Sequence, residues 1–320
     1  MISLIILNWN GEKHLKECLE ALRNQTYKDV EVILVDNGST DNSVEFVREN
    51  FPEIRILALN RNMGFCKGNN EGIKKARGEY IALLNNDTKA DKYWLEELYK
   101  SICKHPEIRF YTSKIVFYDD PNKIDSAGDG FGICGVPFKI GHLENSNKYS
   151  QEKVVFGACG GASLYKKDML NDIGLLDEDF FAIYEDGDLN FRAQLKGYKC
   201  LFVPSAIVYH KGSSSIGKLS AFYVYYGQRN VEYLYIKNMP FSLIVKNGYI
   251  HLLYILLAFV YFLIKGKAIK FLMAKSDVLG NLSNLLKKRS FIQKNPKVNN
   301  SHLSSLFERK WLRTRIKGKL

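Results

Sequence analysis

Short apolar runs alternate with amphipathic segments along the first hundred residues of the chain. The apolar runs cover 2–7, 30–35, 54–59 and 80–84, and the segments with helical spacing cover 12–22, 43–50, 64–77 and 92–104. Short apolar runs are typical of strands that are buried on both faces. Strands that alternate with helices at this spacing predict a parallel sheet with crossover helices. We expect Gly78 to end the helix over 64–77 as its C-cap.

Beyond residue 105 the pattern is less regular. Residues 109–118 and 203–210 are strand-like, and 153–165 predicts two strand pieces around a glycine-rich bend. The segment 119–148 is rich in Gly, Asp and Asn and has no long period, so we expect an irregular or hairpin segment there.

The C-terminal part contains a long apolar segment at 249–264, interrupted only by His251. These sixteen residues, if helical, reach about 24 Å, which is short of the ~30 Å hydrocarbon core of a bilayer. Apolar residues then recur among lysines over 269–286, as in helices that lie in a membrane interface. We therefore predict membrane-interface helices. The alternative is a helical pair packed on the body of the protein or in a homodimer interface.

The net charge of +12 is concentrated near the C-terminus. From residue 265 onwards there are 15 Lys and Arg against two acidic residues, so the rest of the chain is close to neutral. A basic tail indicates an anionic partner surface, either phospholipid or nucleic acid. The tail has few aromatic residues and the chain has no RNA- or DNA-binding motif, which favours phospholipid and argues against nucleic acid.

The six cysteines are scattered and form no CxxC pair, so they indicate neither a zinc site nor a disulfide framework. Reduced thiols in a cytosolic compartment account for them most simply. The apolar run 2–7 is too short for the core of a signal peptide, and we expect none.

Three of the predicted strands end in Asn or Asp, at Asn8, at Asp36 and at Asn85-Asn86-Asp87. The carboxyl ends of parallel strands meet at one edge of the sheet, where open α/β sheets bind their ligands. Asp87, with two amide side chains beside it, could hold Mg²⁺ or Mn²⁺ against a diphosphate, because both ions favour oxygen ligands. The alternative is an ordinary Asn/Asp turn.

The chain contains neither a GxGxxG nor a GxxxxGK[ST] phosphate loop. A nucleotide could still bind, because Asp36 could accept a hydrogen bond from a base or a ribose. The helix start that contains Gly64, Gly68 and Asn69 could bring backbone N–H groups close to a phosphate or a sugar. The alternative for the two glycines is tight packing of the helix on the sheet.

A second polar cluster, Glu185-Asp186-Gly187-Asp188, lies at a predicted helix start. Helix N-termini favour acidic groups, so capping alone could explain the cluster. Crowded carboxylates also raise the pKa of at least one member, which suits a general base. His210 ends the strand over 203–210, and a lone histidine there is more often structural than a ligand.

Together these pieces resemble an inverting family 2 glycosyltransferase with the GT-A fold, of the rhamnosyltransferase-like branch, over roughly residues 2–215. The motifs that carry the resemblance are Asn8-Trp9-Asn10, Val35-Asp36-Asn37-Gly38-Ser39-Thr40-Asp41, Asn62-x-Gly64-Phe65-x-x-Gly68-Asn69-x-x-Gly72, Leu84-Asn85-Asn86-Asp87, Gly161-Ala162-x-Leu164, Phe180-Phe181 with Glu185-Asp186-x-Asp188-Leu189, and His210. Each motif is weak alone, and their order and spacing together are specific.

The resemblance implies a fold of the α/β class. It implies a GT-A type, Rossmann-like mixed sheet with flanking helices, to which the apolar and basic pattern of the tail adds C-terminal membrane-associating helices. Residues 1–105 would form the nucleotide-sugar-binding half, 106–240 the acceptor and catalytic half, and 241–320 a helical tail at the membrane interface. We expect a peripheral or monotopic protein at the cytoplasmic face of the cell membrane.

The resemblance also implies which residues bind the donor. Asp36 would contact the base of the nucleotide sugar, with Asn8 near the same ring. Gly68 and Asn69 lie where the family holds ribose and phosphate.

The resemblance implies a Mg²⁺ or Mn²⁺ site as well. Asp87 matches the last acid of the family's Asp-x-Asp element, whose first two positions are Asn85 and Asn86 here. His210 matches a histidine that some members use as a second metal ligand.

The implied reaction moves a sugar from a nucleoside-diphosphate sugar to a hydroxyl of a lipid-linked or polysaccharide acceptor. The donor would be a dTDP- or UDP-sugar, with rhamnose implied by the branch alone. Asp186 would be the general base and Glu185 its acidic neighbour. We expect Asp36, Asp87, Asp186 and His210 to converge on one cleft. Two alternatives stay open: a non-catalytic sugar-nucleotide-binding or scaffold protein, and a nucleic-acid binder that uses the basic tail.

Overall fold

The computed structural model describes residues 1–212 and 219–312. The strands are β1 Ile2–Asn8, β2 Val30–Asp36, β3 Arg55–Ala58, β4 Tyr80–Asn85, β5 Thr88–Ala90, β6 Phe110–Phe117, β7 Ile124–Ser126, β8 Asp129–Gly132, β9 Pro137–Lys139, β10 Lys153–Val155, β11 Ala162–Lys166, β12 Cys200–His210 and β13 Phe307–Glu308. The α-helices are α1 Glu12–Arg23, α2 Ser43–Asn50, α3 Gly64–Lys75, α4 Trp94–Lys104, α5 Lys167–Ile173, α6 Glu185–Leu195, α7 Ala221–Asn238, α8 Phe241–Ile264, α9 Ala268–Gly280, α10 Leu282–Ile292 and α11 Asn300–Ser305.

The chain folds into two compact units. The first consists of Met1–Asp129, Lys139–Phe181 and Tyr198–Gly212. The second consists of Gly130–Phe138, Ala182–Gly197 and the described part of Ser213–Leu320. The predicted functional division at residues 105 and 240 stays a prediction.

The first unit is built on a mixed sheet in which the main strands follow the order β3-β2-β1-β4-β11-β6-β12-β10. Strands β1, β2, β3 and β4 are parallel, which confirms the parallel arrangement predicted for the first hundred residues. Strand β11 runs antiparallel between β4 and β6 and makes the sheet mixed. The register pairs Asn8 with Asp36 and Leu7 with Asn85, so the polar strand ends meet at one edge, as predicted.

The core of this unit forms where the predicted apolar stripes meet the sheet. Helix α1 buries Leu15, Cys18, Leu19 and Leu22, the residues with helical spacing. Trp94, at the start of α4, is completely buried, and its indole N–H donates to Ser113 Oγ at 2.8 Å. Burying an aromatic side chain of this size while its N–H is satisfied fixes α4 firmly on the sheet.

The prediction that Gly78 caps α3 is wrong. The helix ends at Lys75, with Ala76 as its C-cap. Gly78 instead lets the chain pass close to the start of β1: an added Cβ would lie 2.7 Å from the backbone nitrogen of Ser3, and the Gly78 N–H donates to Ser3 Oγ at 2.7 Å. Close backbone approach, rather than a left-handed turn, is the reason for this glycine.

The second unit is mainly helical, with α7 packed against α9 and α10. A small sheet in the order β13-β8-β9 accompanies the helices, so the segment predicted to be irregular or a hairpin contains short strands, of which β8 and β9 are neighbours. The apolar helix α8 begins at Phe241, eight residues before the predicted 249, with Lys246 on its exposed side and Asn247 on its buried side. The predicted stripe over 269–286 forms two helices, α9 and α10, separated by Asn281.

Candidate functional site

The polar ends of β1, β2 and β4 form one hydrogen-bonded row in the first unit. Asn8 is fully buried, and its amide N–H donates to Asp36 Oδ1 at 3.1 Å. The amide of Asn86 donates in turn to Asn8 Oδ1 at 2.8 Å. Asp36 Oδ2 accepts from the backbone N–H of Ser39 at 3.0 Å. The row therefore holds the Asp36 carboxylate in one orientation at the ligand-binding edge of the sheet.

Next to this row, Asp87 and His210 lie side by side. His210 Nε2 is 3.3 Å from Asp87 Oδ2, and its other ring nitrogen, Nδ1, is 2.8 Å from Asp125 Oδ2. A carboxylate can only accept here, so Nδ1 carries a hydrogen and donates to Asp125. Both carboxylates and the imidazole are largely buried.

Asp125 was not predicted from the sequence. It lies in β7, inside the segment without a period, and no sequence motif marks it. Two nitrogen-bearing side chains lie close to it: Lys139 Nζ is 2.8 Å from its Oδ2, and His142 Nδ1 is 3.2 Å from its Oδ1. Asp125 therefore anchors His210 from the side opposite Asp87.

The charges of this cluster shift its pKa values. Burial alone acts to lower the pKa of His210, but hydrogen bonds to Asp125 and Asp87 and their charges raise it to about 9. Burial likewise acts to raise the pKa of Asp125, and the charge of Lys139 and the hydrogen bonds from His142 and His210 hold it well below its usual range. The neighbouring Asp125 and Asp87 therefore favour the protonated form of the His210 ring, and a cation that binds at Nε2 would displace that proton.

The donor set fits a divalent cation. Two cis ligands of an octahedral Mg²⁺ at its usual ligand distance lie about 3 Å apart, and Asp87 Oδ2 and His210 Nε2 are separated by 3.3 Å. A histidine that ligates a metal commonly donates its other N–H to a carboxylate, as His210 does to Asp125. Asp87 and His210 would hold the ion, and the remaining ligands would be waters and phosphate oxygens.

The other residues that were predicted to bind the donor make packing contacts or hydrogen bonds within the protein. An added Cβ at Gly68 would lie 2.3 Å from Leu7 Cδ1, so this glycine allows α3 to pack on β1. Asn69 is buried, and its amide donates to Phe65 O of its own helix at 2.9 Å. Asn85 ends β4, and its backbone N–H donates to Gly161 O at 3.0 Å. The roles of Gly68, Asn69 and Asn85 toward a donor stay predictions.

In the second unit, Glu185 and Asp186 open α6 after a strained turn. Ile183 and Tyr184 have φ angles of 72° and 67°, which non-glycine residues rarely adopt. The side-chain amide of Asn230, on α7, donates at 2.7 Å to both Ala182 O and Ile183 O. Asn230, which the sequence did not reveal, therefore holds the turn that presents the two acids.

Glu185 and Asp186 differ in environment. Glu185 is buried, and within the described part of the chain its Oε2 has no hydrogen-bond partner. Burial, together with the neighbouring charge of Asp186, raises the pKa of Glu185 to about 8. Asp186 is half-buried and accepts from the backbone N–H of Gly187 at 2.7 Å. Near neutral pH the buried Glu185 is therefore mainly in its protonated, neutral form.

The third acid of this cluster, Asp188, is structural. It is completely buried and accepts from Lys237 Nζ at 2.9 Å, from the Asn238 amide at 2.7 Å and from Arg192 Nε at 3.0 Å. Gly187 permits this packing, since an added Cβ would lie 2.9 Å from Pro137 Cγ. Asp188 therefore ties α6 to α7, whereas Asp186 is only half-buried.

The raised pKa of Glu185 leads to a prediction of how the stability of the protein depends on pH. In the unfolded chain this group ionises near pH 4.5, and in the folded protein near pH 8, so the folded state binds the extra proton between these values. Stability should therefore fall as pH rises from about 5 to 8, by on the order of a few kcal/mol. Glu185→Gln keeps the shape without the titration, so its unfolding free energy should fall less over this range, as urea titrations at pH 5 and 8 would measure.

The exposed Glu20, changed to Gln, is the matched control for this experiment and should leave the pH slope as in the wild type. If the Glu185→Gln variant and the wild type show the same slope, Glu185 is already ionised at neutral pH.

Comparisons with known proteins agree on one family. The profile of "Glycosyl transferase family 2" matches residues 3–174. "Glycosyltransferase GlyG" of Streptococcus pneumoniae serotype 4 is 36% identical over 107 residues, which cover 32% of this chain and 35% of that protein. "Glycosyltransferase GlyA" of the same strain is 27% identical over 227 residues, which cover 67% of this chain and 31% of that protein. The poly-β-1,6-N-acetyl-D-glucosamine synthase of Staphylococcus epidermidis is 26% identical over 231 residues, which cover 68% of this chain and 52% of that protein. The chain thus spans from about a third to about half the length of these relatives.

Solved structures share the fold. A crystal structure of GalNAc-T7 with UDP, GalNAc and Mn²⁺ matches with a TM-score of 0.60 at 16% identity, covering 74% of this chain and 48% of that chain. S. aureus TarS 1–349 in complex with UDP matches with a TM-score of 0.52 at 19% identity, and the match covers 78% of this chain and 69% of that chain. At this identity the likeness shows the fold alone, a GT-A-like mixed α/β sheet with flanking helices.

Proposed function

This chain belongs to glycosyl transferase family 2, and we propose that it transfers a sugar, with inversion, from a nucleoside-diphosphate sugar to a hydroxyl of a lipid-linked or polysaccharide acceptor. The observation that carries this proposal is the pair Asp87 and His210, braced by Asp125, beside the Asn8–Asp36 row at the carboxyl edge of the sheet. Such an edge offers groups for a base, a diphosphate and a cation together.

The donor would be a dTDP- or UDP-sugar, with dTDP-rhamnose one candidate. Asp36 would accept a hydrogen bond from an N–H of the base, and the bond from Asn8 keeps its carboxylate oriented for that task. The complexes of TarS with UDP and with UDP-GlcNAc support a nucleotide-sugar donor for this fold.

A Mg²⁺ or Mn²⁺ ion held by Asp87 and His210 would offset the negative charge that develops on the departing diphosphate. The structure of GalNAc-T7 with Mn²⁺ supports this part of the proposal. Asp125 would keep the Nδ1–H of His210 engaged, so that Nε2 faces the ion. Asn85 and Asn86 would contribute neutral oxygens where related Asp-x-Asp elements have an acid.

Asp186 would be the general base. It would take the proton of the acceptor hydroxyl while that oxygen bonds to the anomeric carbon from the face opposite the diphosphate, and the bond from that carbon to the diphosphate oxygen would break. A single carboxylate without a covalent intermediate gives inversion, by analogy with glycosidases. Glu185 stays protonated near neutral pH and does not compete for the acceptor proton.

We place this reaction at the cytoplasmic face of the cell membrane, in the synthesis of a cell-envelope polysaccharide. The relatedness to poly-β-1,6-N-acetyl-D-glucosamine synthase supports a polysaccharide product. Within the described residues one helix, α8, is both long enough and apolar enough to cross a membrane, judged by length and composition alone.

The Asn-for-Asp change in the metal triplet, at Asn85, favours one alternative, a protein that binds sugar nucleotides without turning them over. Isothermal titration with a panel of UDP- and dTDP-sugars, with and without Mn²⁺, separates the possibilities. We expect one base to be preferred, tighter binding with Mn²⁺, and slow release of the nucleoside diphosphate on incubation. Donor binding with no release, even when membrane glycolipid is added, would favour the scaffold, and no binding of any nucleotide sugar would refute both.

A further inference from the structure

Helix α8 exposes a stripe of apolar side chains, whereas its buried face includes polar ones. Its buried residues are Leu243, Asn247, His251, Tyr254, Ala258 and Phe262, which follow one another at helical spacing. We call the opposite stripe the outer face of α8; it consists of Val245, Tyr249, Leu252, Leu256, Val260 and Leu263, and each is at least 43% exposed. A helix that faces water places its polar residues outwards. The outer face of α8 therefore faces a medium that is not water.

The protein supplies the partners for the inward polar residues. His251 Nε2 lies 3.0 Å from Glu232 Oε2, and its Nδ1 lies 2.7 Å from Cys134 O. Lys275, on α9, makes an ion pair with the same glutamate, and the ring of Tyr235 stacks on His251 with centroids 3.7 Å apart. This network fixes α8 along the second unit and determines which of its faces points outwards.

The outward apolar surface is large. Of the 24 large hydrophobic side chains that are exposed in the described part of the chain, 16 lie between Phe241 and Phe291. Monomeric soluble proteins rarely expose apolar side chains in such a concentration, and those that do use the surface for a partner or a membrane. The exposed apolar residues continue on α9, at Ile269 and Leu272.

The charge around this surface is predominantly positive. Residues 241–312 contain twelve Lys and Arg but two acids, Asp277 and Glu308, and α8 itself contains no acid. Lys246 and Lys265 are exposed at the two ends of the apolar stripe. A symmetric contact with a second copy would place these lysines against each other, whereas an anionic lipid surface complements them.

We propose that the outer face of α8 lies in the headgroup region of an anionic bilayer, with the helix axis parallel to the membrane plane. This deepens the membrane part of the proposed function and does not depend on the transfer reaction. The 24-residue helix is long enough to span a bilayer. Spanning would, however, take the Glu232–His251–Lys275 network into hydrocarbon, where buried charges are costly. Lying in the plane leaves the network inside the protein and only the apolar stripe in lipid.

The test is flotation of the full chain with liposomes, without nucleotide sugar. The variant Leu252→Ser/Leu256→Ser alters two outer-face residues that are 66% and 58% exposed, and Leu143→Ser/Val154→Ser is the matched control on exposed residues of the first unit. We expect the wild type to partition at least about tenfold better onto phosphatidylcholine with phosphatidylglycerol than onto phosphatidylcholine alone. The outer-face variant should lose about tenfold or more, and the control should stay within about twofold of the wild type.

Protease treatment of protein added to preformed vesicles tests the orientation. A C-terminal tag should be digested completely, because an in-plane helix leaves it outside. A protected C-terminal fragment would show a spanning helix and overturn the proposal, as would undiminished flotation of the outer-face variant. A lipid-free dimer that this variant dissociates would also overturn it, since a second copy would then cover the face. Donor titration on the same preparations tests the proposed enzyme separately, and flotation without donor binding would refute only that.

Discussion

The Asp186→Asn variant should bind its nucleotide-sugar donor as the wild type does and lose about a thousandfold in turnover. A positioned general base contributes about 10² to 10⁴ in rate, and an amide cannot accept the acceptor proton. The side chain keeps its size and its ability to accept from the N–H of Gly187, so the start of α6 should not change. Isothermal titration of the donor, combined with single-turnover transfer, measures the two quantities independently.

The exposed Asp119, changed to Asn, is the control for a general effect of removing a surface carboxylate, and it should leave both quantities unchanged. Lost turnover with unchanged donor binding would also support the predicted convergence of Asp186 with Asp36 and Asp87 on one cleft. Turnover of Asp186→Asn within a few-fold of the wild type would remove Asp186 as the base. Weakened donor binding in this variant would instead indicate that Asp186 contacts the donor.

The part of the site that the sequence could predict rests on local patterns. The apolar runs fixed the directions of β1, β2 and β4, and parallel strands end at a common edge whatever the rest of the fold does. The positions of Asn8, Asp36 and Asn86 followed from that rule. Their common edge followed from the strand directions, although the hydrogen bonds of the row join residues that are 28 and 78 positions apart.

The parts that the sequence could not predict depend on contacts between distant segments. Asp125 meets His210 across 85 positions of the chain, from a strand that has no hydrophobic period. Asn230 reaches Ala182 and Ile183 across almost 50 positions, and nothing in its own helix marks it as different. Asp188 has the same chemistry as Asp186, and only its burial against Lys237 shows that it is structural. Residue type therefore identified candidate site residues, and burial in the folded protein separated the structural acid Asp188 from the candidate base Asp186.

Asp87→Ala should weaken Mn²⁺ binding to the complex with nucleoside diphosphate by at least about tenfold and raise the donor KM. The variant removes one of the two proposed protein ligands, and a Mg²⁺-type site has few protein ligands to spare. His210→Ala should act in the same direction. Mn²⁺ electron paramagnetic resonance with UDP or dTDP present measures the affinity without any turnover.

Asp125→Asn separates ligation from positioning in this experiment. Asp125 lies 2.8 Å from Nδ1 of His210, the ring nitrogen that is not proposed to bind the ion, and loss of such a second partner typically weakens metal affinity about 10- to 100-fold. Its effect should vanish in the His210→Ala background, because an alanine leaves no ring for Asp125 to orient. An additive loss in the double variant would mean that Asp125 stabilises the fold rather than the ligand. An unchanged Mn²⁺ titration in Asp87→Ala would mean that the metal response arises elsewhere, and the buried Asp87–His210–Asp125 row would then be a structural ion-pair network at the end of the sheet.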